Sequence, residues 1–289
     1  MEPELANTEM SPGTRLRALF TRPQVRAPFV FDGLQARCAE RAGFEVVYVT
    51  GFGTAASRAL PDLGLLGMAE MAAAVGIVTS ATSLPVVADA DTGYGGVLNV
   101  ARTVRAYETA GVAGLHLEDQ MWPKRCGFLE GKEVVPVTEM VAKIRTACAA
   151  RHDDATVIIA RTDALATHGW DEAELRVRRY YDHGADLVFV DGIRTDADLD
   201  EYQSRLDDLP LVYNGIGQTR NAVDGRGVVL QLDGNSFMAV VAAVEDIFTK
   251  MANGTADELR TTAFPVLREL LGVDSALAFV SSSAQEAQL

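Results

Sequence analysis

The chain has 289 residues, 48% of them hydrophobic, which suffices to bury one large core or two modest ones. Its 26 basic and 40 acidic side chains give a formal net charge of −14, and no basic cluster is long enough to indicate a nucleic-acid or anionic-membrane partner. No stretch approaches the roughly 20 apolar residues of a membrane span, and no signal-peptide pattern opens the chain, so we expect a cytoplasmic protein.

Strand-like and helix-like segments alternate along the sequence. Residues 1–13 are polar, hold two prolines and lack periodicity, so we expect a flexible extension there. Short β-rich runs then occur eight times, at 28–31, 46–50, 85–89, 114–118, 156–161, 186–191, 211–214 and 228–232. Apolar residues at helical spacing lie between most of them, at 34–42, 68–79, 97–110, 138–149 and 171–183, the last with Asp171 as its N-cap.

Eight strand and helix units in roughly 250 residues predict an α/β fold, a (β/α)8 TIM barrel over residues 14–252, with a doubly wound sheet as the alternative. The segment 215–227 is rich in glycine and polar residues, so we expect a short or absent helix before the last strand. Helical patterns at 236–251, 256–271 and 274–281 exceed what barrel closure requires. We therefore expect residues 253–289 to form extra helices that make an oligomer contact.

Acidic side chains gather at the predicted carboxyl ends of the strands, where a barrel places its active site. They are Asp89, Asp91, Glu118, Asp119, Asp163 and Asp191. Carboxylates that face one cavity repel one another and take up protons unless a cation compensates them. Because oxygen ligands dominate and His is sparse, the set Asp89, Asp91 and Glu118 predicts Mg2+ or Mn2+ rather than zinc. The alternative for any single carboxylate is a helix cap or an ion pair with a lysine.

A short basic run follows this acidic region and contains, in succession, Lys124, Arg125 and Cys126. Adjacent positive charge stabilises a thiolate, so Cys126 can hold or release a proton near neutral pH. The alternative is a buried apolar cysteine, the interpretation that we favour for Cys38 and Cys148. The three cysteines are too widely spaced for a disulfide framework or a CxxC zinc site.

The end of the second predicted strand is a further candidate. Tyr48 and Thr50 share one face of that strand. The glycines at 51 and 53 can turn successive N–H groups toward an anion. The alternative, which is more common, is a glycine-rich turn that binds no ligand. The pattern lacks the spacing of a dinucleotide or P-loop fingerprint.

Six stretches together resemble a known family. They are Phe44-Glu-Val-Val-Tyr-Val-Thr-Gly51, Leu60-Pro-Asp-Leu-Gly64, Ala88-Asp-Ala-Asp-Thr-Gly-Tyr-Gly95, His116-Leu-Glu-Asp-Gln120, Pro123-Lys-Arg-Cys-Gly127 and Ile159-Ala-Arg-Thr-Asp163. Over residues 32–214 the chain resembles the isocitrate lyase and phosphoenolpyruvate mutase superfamily, most closely its methylisocitrate-lyase-like and carboxyphosphonoenolpyruvate-mutase-like branch. The resemblance implies a (β/α)8 barrel whose last helix is often swapped between the subunits of a dimer or tetramer.

The resemblance also implies a site for a small di- or tricarboxylate. Mg2+ would bind near Asp89, Asp91 and Glu118, with Asp62 supporting the metal shell. A substrate carboxylate would be cradled by Thr50, Gly51 and Phe52, and the acid would be bound from other sides by Arg161 and Asn214. Cys126 would lie on a mobile gating loop, in which Gly127 and Phe128 would also contact the substrate.

The implied reaction is cleavage of the C2–C3 bond of a 2-hydroxy di- or tricarboxylic acid, such as a substituted malate, to a 2-oxo acid and a carboxylate. Arg161 would stabilise the enolate-like fragment and Cys126 would protonate it, with Lys124 tuning the thiol. Tyr48 is the candidate base for the substrate hydroxyl.

Two positions depart from the family pattern. Phe128 stands where a histidine is usual, and Asp191 stands where a glutamate is usual, so we expect a changed substrate. Two alternatives follow: a decarboxylase, hydrolase or phosphonomutase acting on an oxaloacetate-like or phosphonopyruvate-like acid, and a non-catalytic member of the family.

Overall fold

Eight short strands rich in Val, Leu and Ile form one closed parallel barrel, in which each strand pairs with the next and the eighth pairs with the first. The computed structural model describes residues 10–22, 24–127, 129–216 and 227–286. The continuous apolar character of the strands reflects burial on both faces, as parallel sheets require. The strands are β1 (Val25–Val30), β2 (Val47–Val49), β3 (Val86–Asp89), β4 (Gly114–Glu118), β5 (Val157–Thr162), β6 (Leu187–Val190), β7 (Leu211–Asn214) and β8 (Val228–Asp233).

Helices connect the strands and cover the barrel. Local sequence sets their ends: Asp32 accepts a hydrogen bond from Gln35 N at the start of α2, and Thr195 forms a capping box with Asp198 at the start of α9. The helices are α1 (Pro12–Leu19), α2 (Gly33–Arg41), α3 (Gly51–Ala56), α4 (Met68–Ala81), α5 (Val97–Thr109), α6 (Val137–Ala150), α7 (Leu165–His168), α8 (Trp170–Asp182), α9 (Asp196–Arg205), α10 (Asn235–Ala252), α11 (Phe264–Leu270) and α12 (Val273–Glu286), with a 3-10 turn at Ala256–Glu258. The predicted (β/α)8 barrel is therefore confirmed.

One end of the barrel is closed by the N-terminal helix. Leu16 of α1 is fully buried in the cluster that fills the barrel interior. A Cβ added at Gly13 would lie within 2.6 Å of the backbone at Ala155 and Thr156, so the helix packs tightly against the start of β5. Because the amino end of the barrel is filled in this way, the carboxyl ends of the strands are left to form a site.

Several boundaries differ from the sequence predictions. Helix α1 begins inside the extension that was predicted to end at residue 13; residues 1–9 lie outside the described residues. The predicted N-cap Asp171 is wrong, because Gly169 takes that position and Asp171 lies in the first turn of α8. The continuous helix predicted at 256–271 is also wrong, since only a 3-10 turn and α11 form there. The short or absent helix predicted for 215–227 falls mostly on residues 217–226, which are outside the described residues.

The chain divides into two units, Met1–Phe237 and Met238–Leu289. The first contains the barrel. The second holds most of α10 together with α11 and α12, whereas the sequence-based division had placed the boundary at 252/253. Among the described residues, no helix combines the length and the apolarity needed to cross a membrane.

Candidate functional site

A small cavity lies at the carboxyl ends of the strands, beneath the loop that follows β4. Its volume is about 40 Å³, which is room for only a few water molecules. One wall is charged, with Asp62, Asp89, Glu118, Lys124 and Arg161. The apolar part of the lining, here called the apolar wall, consists of Phe29, Phe52, Phe189, Ile216 and Leu232. The lining therefore offers charged groups to the carboxylates of a small acid and apolar side chains to the rest of it.

Lys124 connects the carboxylates of the charged wall. Its ammonium group forms an ion pair with Asp62 and lies 2.8 Å from Asp91 Oδ1. Asp89 is held differently, because its Oδ1 accepts a hydrogen bond from Asp91 N at 2.9 Å and its Oδ2 accepts one from Gly51 N at 3.2 Å. Glu118 ends β4, and its Oε2 lies 3.5 Å from Arg161 Nη1. All of these side chains except Asp62 are buried.

Burial shifts the protonation of the charged wall. It raises the pKa of Asp91 to about 7, against the lowering effect of Lys124. Burial likewise raises the pKa of Glu118 well above its usual range, despite the nearby Arg161 and Lys124. For Asp89 burial is outweighed, and neighbouring positive charge with the Asp91 N–H holds its pKa below the usual value. The wall therefore contains one firmly ionised carboxylate and two that hold a proton readily.

The oxygens of this wall fit a divalent cation. Glu118 Oε1 is buried and accepts no hydrogen bond from the part of the chain that the structure describes, and Asp91 Oδ1 is buried with the Lys124 ammonium as its charged neighbour at 2.8 Å. Within the same residues, no three His, Cys, Asp or Glu side chains form a metal-holding group by themselves. Mg2+ is commonly bound through one or two carboxylates, with water and substrate completing its shell, so this donor set suits it.

Tyr48 and His116 form a buried hydrogen bond at the floor of the cavity. Tyr48 Oη lies 2.6 Å from His116 Nε2, and the two rings stack with their centroids 5.7 Å apart. Burial lowers the pKa of His116 to about 4, so the imidazole is neutral at pH 7. Burial also raises the pKa of Tyr48 well above 10, an effect that Asp89 reinforces. Tyr48 therefore keeps its proton at neutral pH.

Arg161 extends from β5 into the cavity and is fixed by a carboxylate. Its Nε and Nη2 donate to the two oxygens of Asp163 at 2.9 and 3.0 Å. Lys132 donates to Asp163 Oδ1 at 3.0 Å and to Asp191 Oδ2 at 3.3 Å. Burial would raise the pKa of Asp163, but Arg161 and Lys132 hold it well below the usual range. The arrangement aims the guanidinium at the cavity while keeping it charged.

Asp163 is itself fixed from behind by Asp119. The Asp119 carboxylate accepts hydrogen bonds from Asp163 N at 3.0 Å, Thr162 Oγ1 at 2.7 Å, Tyr180 Oη at 2.8 Å and Arg176 Nη1 at 3.0 Å. Tyr180 and Arg176 belong to α8, so this buried group ties the covering helix to the end of β5. Asp119 faces this network rather than the cavity.

The loop after β4 carries Cys126 over the cavity. Arg125 N donates to Gln120 Oε1, and Gln120 Nε2 donates to Arg125 O, both at 2.9 Å. Cys126 N donates to Asp62 O at 3.1 Å. The Cys126 side chain is half-buried, and none of the three cysteines, all within described residues, forms a disulfide. The thiol thus lines the same cavity as Arg161.

Most of the residues predicted for the site line this cavity: Tyr48, Thr50, Phe52, Asp62, Asp89, Glu118, Lys124, Cys126, Gly127, Arg161 and Asn214. Asp91 and Gly51 line a smaller adjacent cavity that Asp62 shares. Phe128 lies outside the described residues.

The expected cradle of free N–H groups after β2 is only partly available. Gly51 N is engaged by Asp89, and Gly53 N donates to Thr50 Oγ1 at 3.3 Å, where Thr50 caps α3.

Sequence reasoning did not single out His116 or Lys132. His116 lies two residues before Glu118 on β4, and alternate residues of a strand share a face, so its inward position was available from the sequence. Lys132 lies in a loop of no regular structure, where nothing in the sequence indicates which carboxylates it meets. Apart from Phe52, the apolar wall was not predicted, because its other members come from β1, β6, β8 and the segment after β7.

Comparisons with known proteins agree with this geometry. The family model described as phosphoenolpyruvate phosphomutase matches residues 16–251. The probable 2-methylisocitrate lyase 2 of Corynebacterium glutamicum is 46% identical over 200 residues, which are 69% of this chain and 65% of that protein. The chain therefore spans about 65% of the length of this curated relative.

Two solved structures share the whole fold. One is 2,3-dimethylmalate lyase, described as a PEP mutase/isocitrate lyase superfamily member, with a TM-score of 0.85 and 35% identity over 95% of this chain and 96% of that one. The other is phosphonopyruvate hydrolase in complex with oxalate and Mg2+, with a TM-score of 0.83 and 30% identity over 93% and 98% of the two chains. With its barrel, its cavity and the family match over most of its length, this chain belongs to the phosphoenolpyruvate mutase/isocitrate lyase superfamily.

Proposed function

We propose that this protein is a carbon-carbon lyase that cleaves a 2-hydroxy di- or tricarboxylic acid to a 2-oxo acid and a carboxylate, with Cys126 as the proton donor. One observation carries the proposal: the Cys126 thiol and the Arg161 guanidinium line the same small cavity. Bond cleavage leaves an enolate-like fragment that needs both a cation and a proton, and these two groups supply them. The relatives named as methylisocitrate and dimethylmalate lyases support this reaction class.

Arg161 is suited to the negative charge that develops during cleavage. Asp163 occupies its Nε and Nη2, while Nη1 lies on the Glu118 side, 3.5 Å from that carboxylate. A guanidinium already fixed in place stabilises charge without having to reorient during the reaction. Lys124, which also lines the cavity, adds positive charge next to the thiol.

The charged wall is our proposed site for Mg2+, with Mn2+ as the substitute. Asp89, Asp91 and Glu118 are the proposed ligands, because they are buried together and Glu118 Oε1 accepts no hydrogen bond among the described residues. When bound, the ion would draw electron density from the oxygens of the acid. The Lys124 ammonium would offset part of the negative charge of Asp91 and Asp62 beside the ion.

Tyr48 is better suited to donate a hydrogen bond than to act as a phenolate base. Its raised pKa keeps the hydroxyl protonated, and its partner His116 is neutral. We propose that the Tyr48 and His116 pair orients the substrate at the floor of the cavity. Removal of the substrate hydroxyl proton then falls to one of the carboxylates of the charged wall.

The test is a screen of 2-hydroxy and 2-oxo diacids with Mg2+, with detection of pyruvate, glyoxylate and CO2, followed by Cys126→Ala on each substrate found. A lyase should lose turnover in this variant while still binding the substrate. Cys38→Ala is the matched control, because that thiol is exposed and does not line the cavity. Full activity of the Cys126 variant would refute the lyase.

A hydrolase or decarboxylase is the second candidate, favoured by the phosphonopyruvate hydrolase whose fold this chain shares. The same screen would detect the products of such a reaction on an oxaloacetate-like acid. The reaction does not need the thiol, so Cys126→Ala should stay largely active. A non-catalytic protein would show neither turnover nor a rise in melting temperature with Mg2+ and oxalate, since mass action requires a true ligand to stabilise the fold.

We also propose that a second copy of the chain covers the C-terminal helices. Large apolar side chains there are exposed, among them Phe248 at 65%, Phe264 at 74% and Phe279 at 72%. Exposed apolar surface of this density marks an interface. Light scattering after size exclusion should show a dimer or tetramer, and Phe248→Asp with Phe279→Asp should yield a smaller species. A monomeric native protein would contradict the proposal.

A further inference from the structure

The loop that carries Cys126 is fixed on two opposite sides of the barrel mouth. On one side Cys126 N donates to Asp62 O, in the segment after β2, at 3.1 Å. On the other side Gly127 lies against Asp191 and Arg161, so closely that a Cβ at Gly127 would overlap Asp191 Oδ2 and lie 2.9 Å from Arg161 Nη2. The loop thus spans the mouth from β2 to β6.

The carbonyl of Gly127 is the anchor on the β6 side, and two cations share it. Lys132 Nζ donates to this oxygen at 2.8 Å, and Arg194 Nη2 donates to it at 2.7 Å. Charged donors make stronger hydrogen bonds to a carbonyl than neutral donors do. Neither cation lines the main cavity, although Arg194 lines a smaller cavity beside it.

Both cations are held in place by carboxylates. Lys132 is buried and is bound by Asp163 and Asp191, so it connects the loop to the pair that fixes Arg161. Arg194 is exposed, but its backbone N–H donates to Asp198 Oδ2 at 3.0 Å, in the capping box that starts α9. Lys132 lies five residues after Gly127 in the same loop and ties that loop to Asp163 and Asp191, whereas Arg194 reaches the carbonyl from the segment between β6 and α9.

The loop must open for the reaction to proceed. The charged side chains beneath it, Asp89, Glu118 and Arg161, are at most 8% exposed, so an acid cannot reach them from solvent while the loop is closed. Substrate entry and product release therefore require the contacts at Gly127 to break and to form again in each cycle. Loops of this kind commonly set turnover rates.

We propose that Lys132 and Arg194 form a two-cation latch on the Gly127 carbonyl, which positions Cys126 over the cavity and sets how often the loop opens. The latch rests on the proposed function only in taking Cys126 as the proton donor. Lys132 and Arg194 are positioning residues, which act through the loop backbone. Arg194 is the more easily released of the two, because its side chain is exposed to water.

The test measures alkylation of Cys126 by iodoacetamide, followed by peptide mass spectrometry, in the intact protein without substrate. Arg194→Met should speed alkylation of Cys126 about threefold to tenfold, the change in opening that loss of one charged hydrogen bond brings. Loss of a nearby positive charge alone would slow alkylation, since it disfavours the thiolate. Cys38 is the internal reference, and its rate should not change.

Two further variants complete the experiment. Arg194→Lys keeps a charged donor and should retain most of the protection. Arg178→Met is the matched control, because Arg178 Nη2 also donates to a backbone carbonyl, that of Arg205, at 2.7 Å, and does not contact the loop. Equal Cys126 rates in the wild type and Arg194→Met would overturn the latch, as would equal acceleration by Arg178→Met.

The alkylation readout separates the latch from the lyase assignment, because it reports the open fraction of the loop and needs no substrate. If no substrate is found, the proposed function fails, while the alkylation rates still decide the latch.

Discussion

Replacement of Asp163 by Asn should destabilise the fold far more than its conservative size suggests. Asp163 is fully buried and accepts two hydrogen bonds from Arg161 and one from Lys132. An amide retains one acceptor oxygen but turns an NH2 group toward a cation, so Arg161 and Lys132 each lose their nearest counter-charge. Breaking a buried ion pair by removing one partner costs about 3–5 kcal/mol. For a chain of this size that loss corresponds to a melting temperature lower by about 10 °C.

The measurement is urea unfolding at pH 7, with thermal melting at equal protein concentration. Asp208→Asn is the matched control, because Arg178 Nη1 donates to both oxygens of Asp208, at 3.0 and 2.8 Å, but the Asp208 side chain is 60% exposed. An exposed pair of this kind is screened by water and contributes little. Equal effects of the two substitutions would refute the reasoning, since burial is the difference between them.

The pH dependence provides a second check on Asp163. Its pKa is lower in the folded protein, so its contribution is fully present above the unfolded pKa and is lost as the pH falls through the folded pKa. The stability difference between the wild type and Asp163→Asn should therefore stay constant from pH 8 down to about pH 4 and shrink below it. A difference that already shrinks between pH 7 and pH 5 would point to another group.

Three further substitutions have defined outcomes. Gly127→Ala should leave the melting temperature within about 2 °C of the wild type yet lower kcat/KM by about a hundredfold or more, because its Cβ would overlap Asp191 and keep the loop from closing; near-normal turnover would contradict this. His116→Gln should weaken the pH dependence of stability. The native His116 pKa of about 4 lies below the unfolded value, so this histidine makes the wild type lose about 2 kcal/mol of unfolding free energy between pH 7 and pH 4.5. In urea unfolding, the loss over that range should be smaller by about 2 kcal/mol in the variant than in the wild type. Glu118→Gln should abolish most of the rise in melting temperature that Mg2+ with oxalate gives the wild type, and an undiminished rise would remove Glu118 from the metal site.

The barrel was predictable because each strand is a short apolar run bounded by turn residues, and the strand ends follow from that pattern. Asp89, Glu118 and Arg161 therefore reached the correct edge in the prediction. Asp91 did not follow the rule that alternate residues share a face, because β3 ends at Asp89 and Asp91 has a φ of +46°. Its side chain is turned toward the adjacent cavity and Lys124.

Long-range contacts of long side chains were beyond prediction. Lys132 meets Asp163 and Asp191, which lie 31 and 59 residues away, and only the folded barrel brings these three together. The break between the 3-10 turn and α11 was also missed, because the apolar spacing of residues 256–271 suits a helix although Pro265 favours the start of a new one. Periodicity reports which face is apolar, and it does not report where a helix is interrupted.

The contacts that close the loop after β4 are made mainly by main-chain atoms: the Arg125 peptide with Gln120, the Cys126 amide with Asp62, and the Gly127 carbonyl with its two cations. None of these contacts uses the side chain at position 126. A substitution there could alter the chemistry delivered to a bound acid while the lid keeps its fit. One scaffold could in this way acquire a different reaction through a single codon, with no loss of the enclosure that reactive intermediates need.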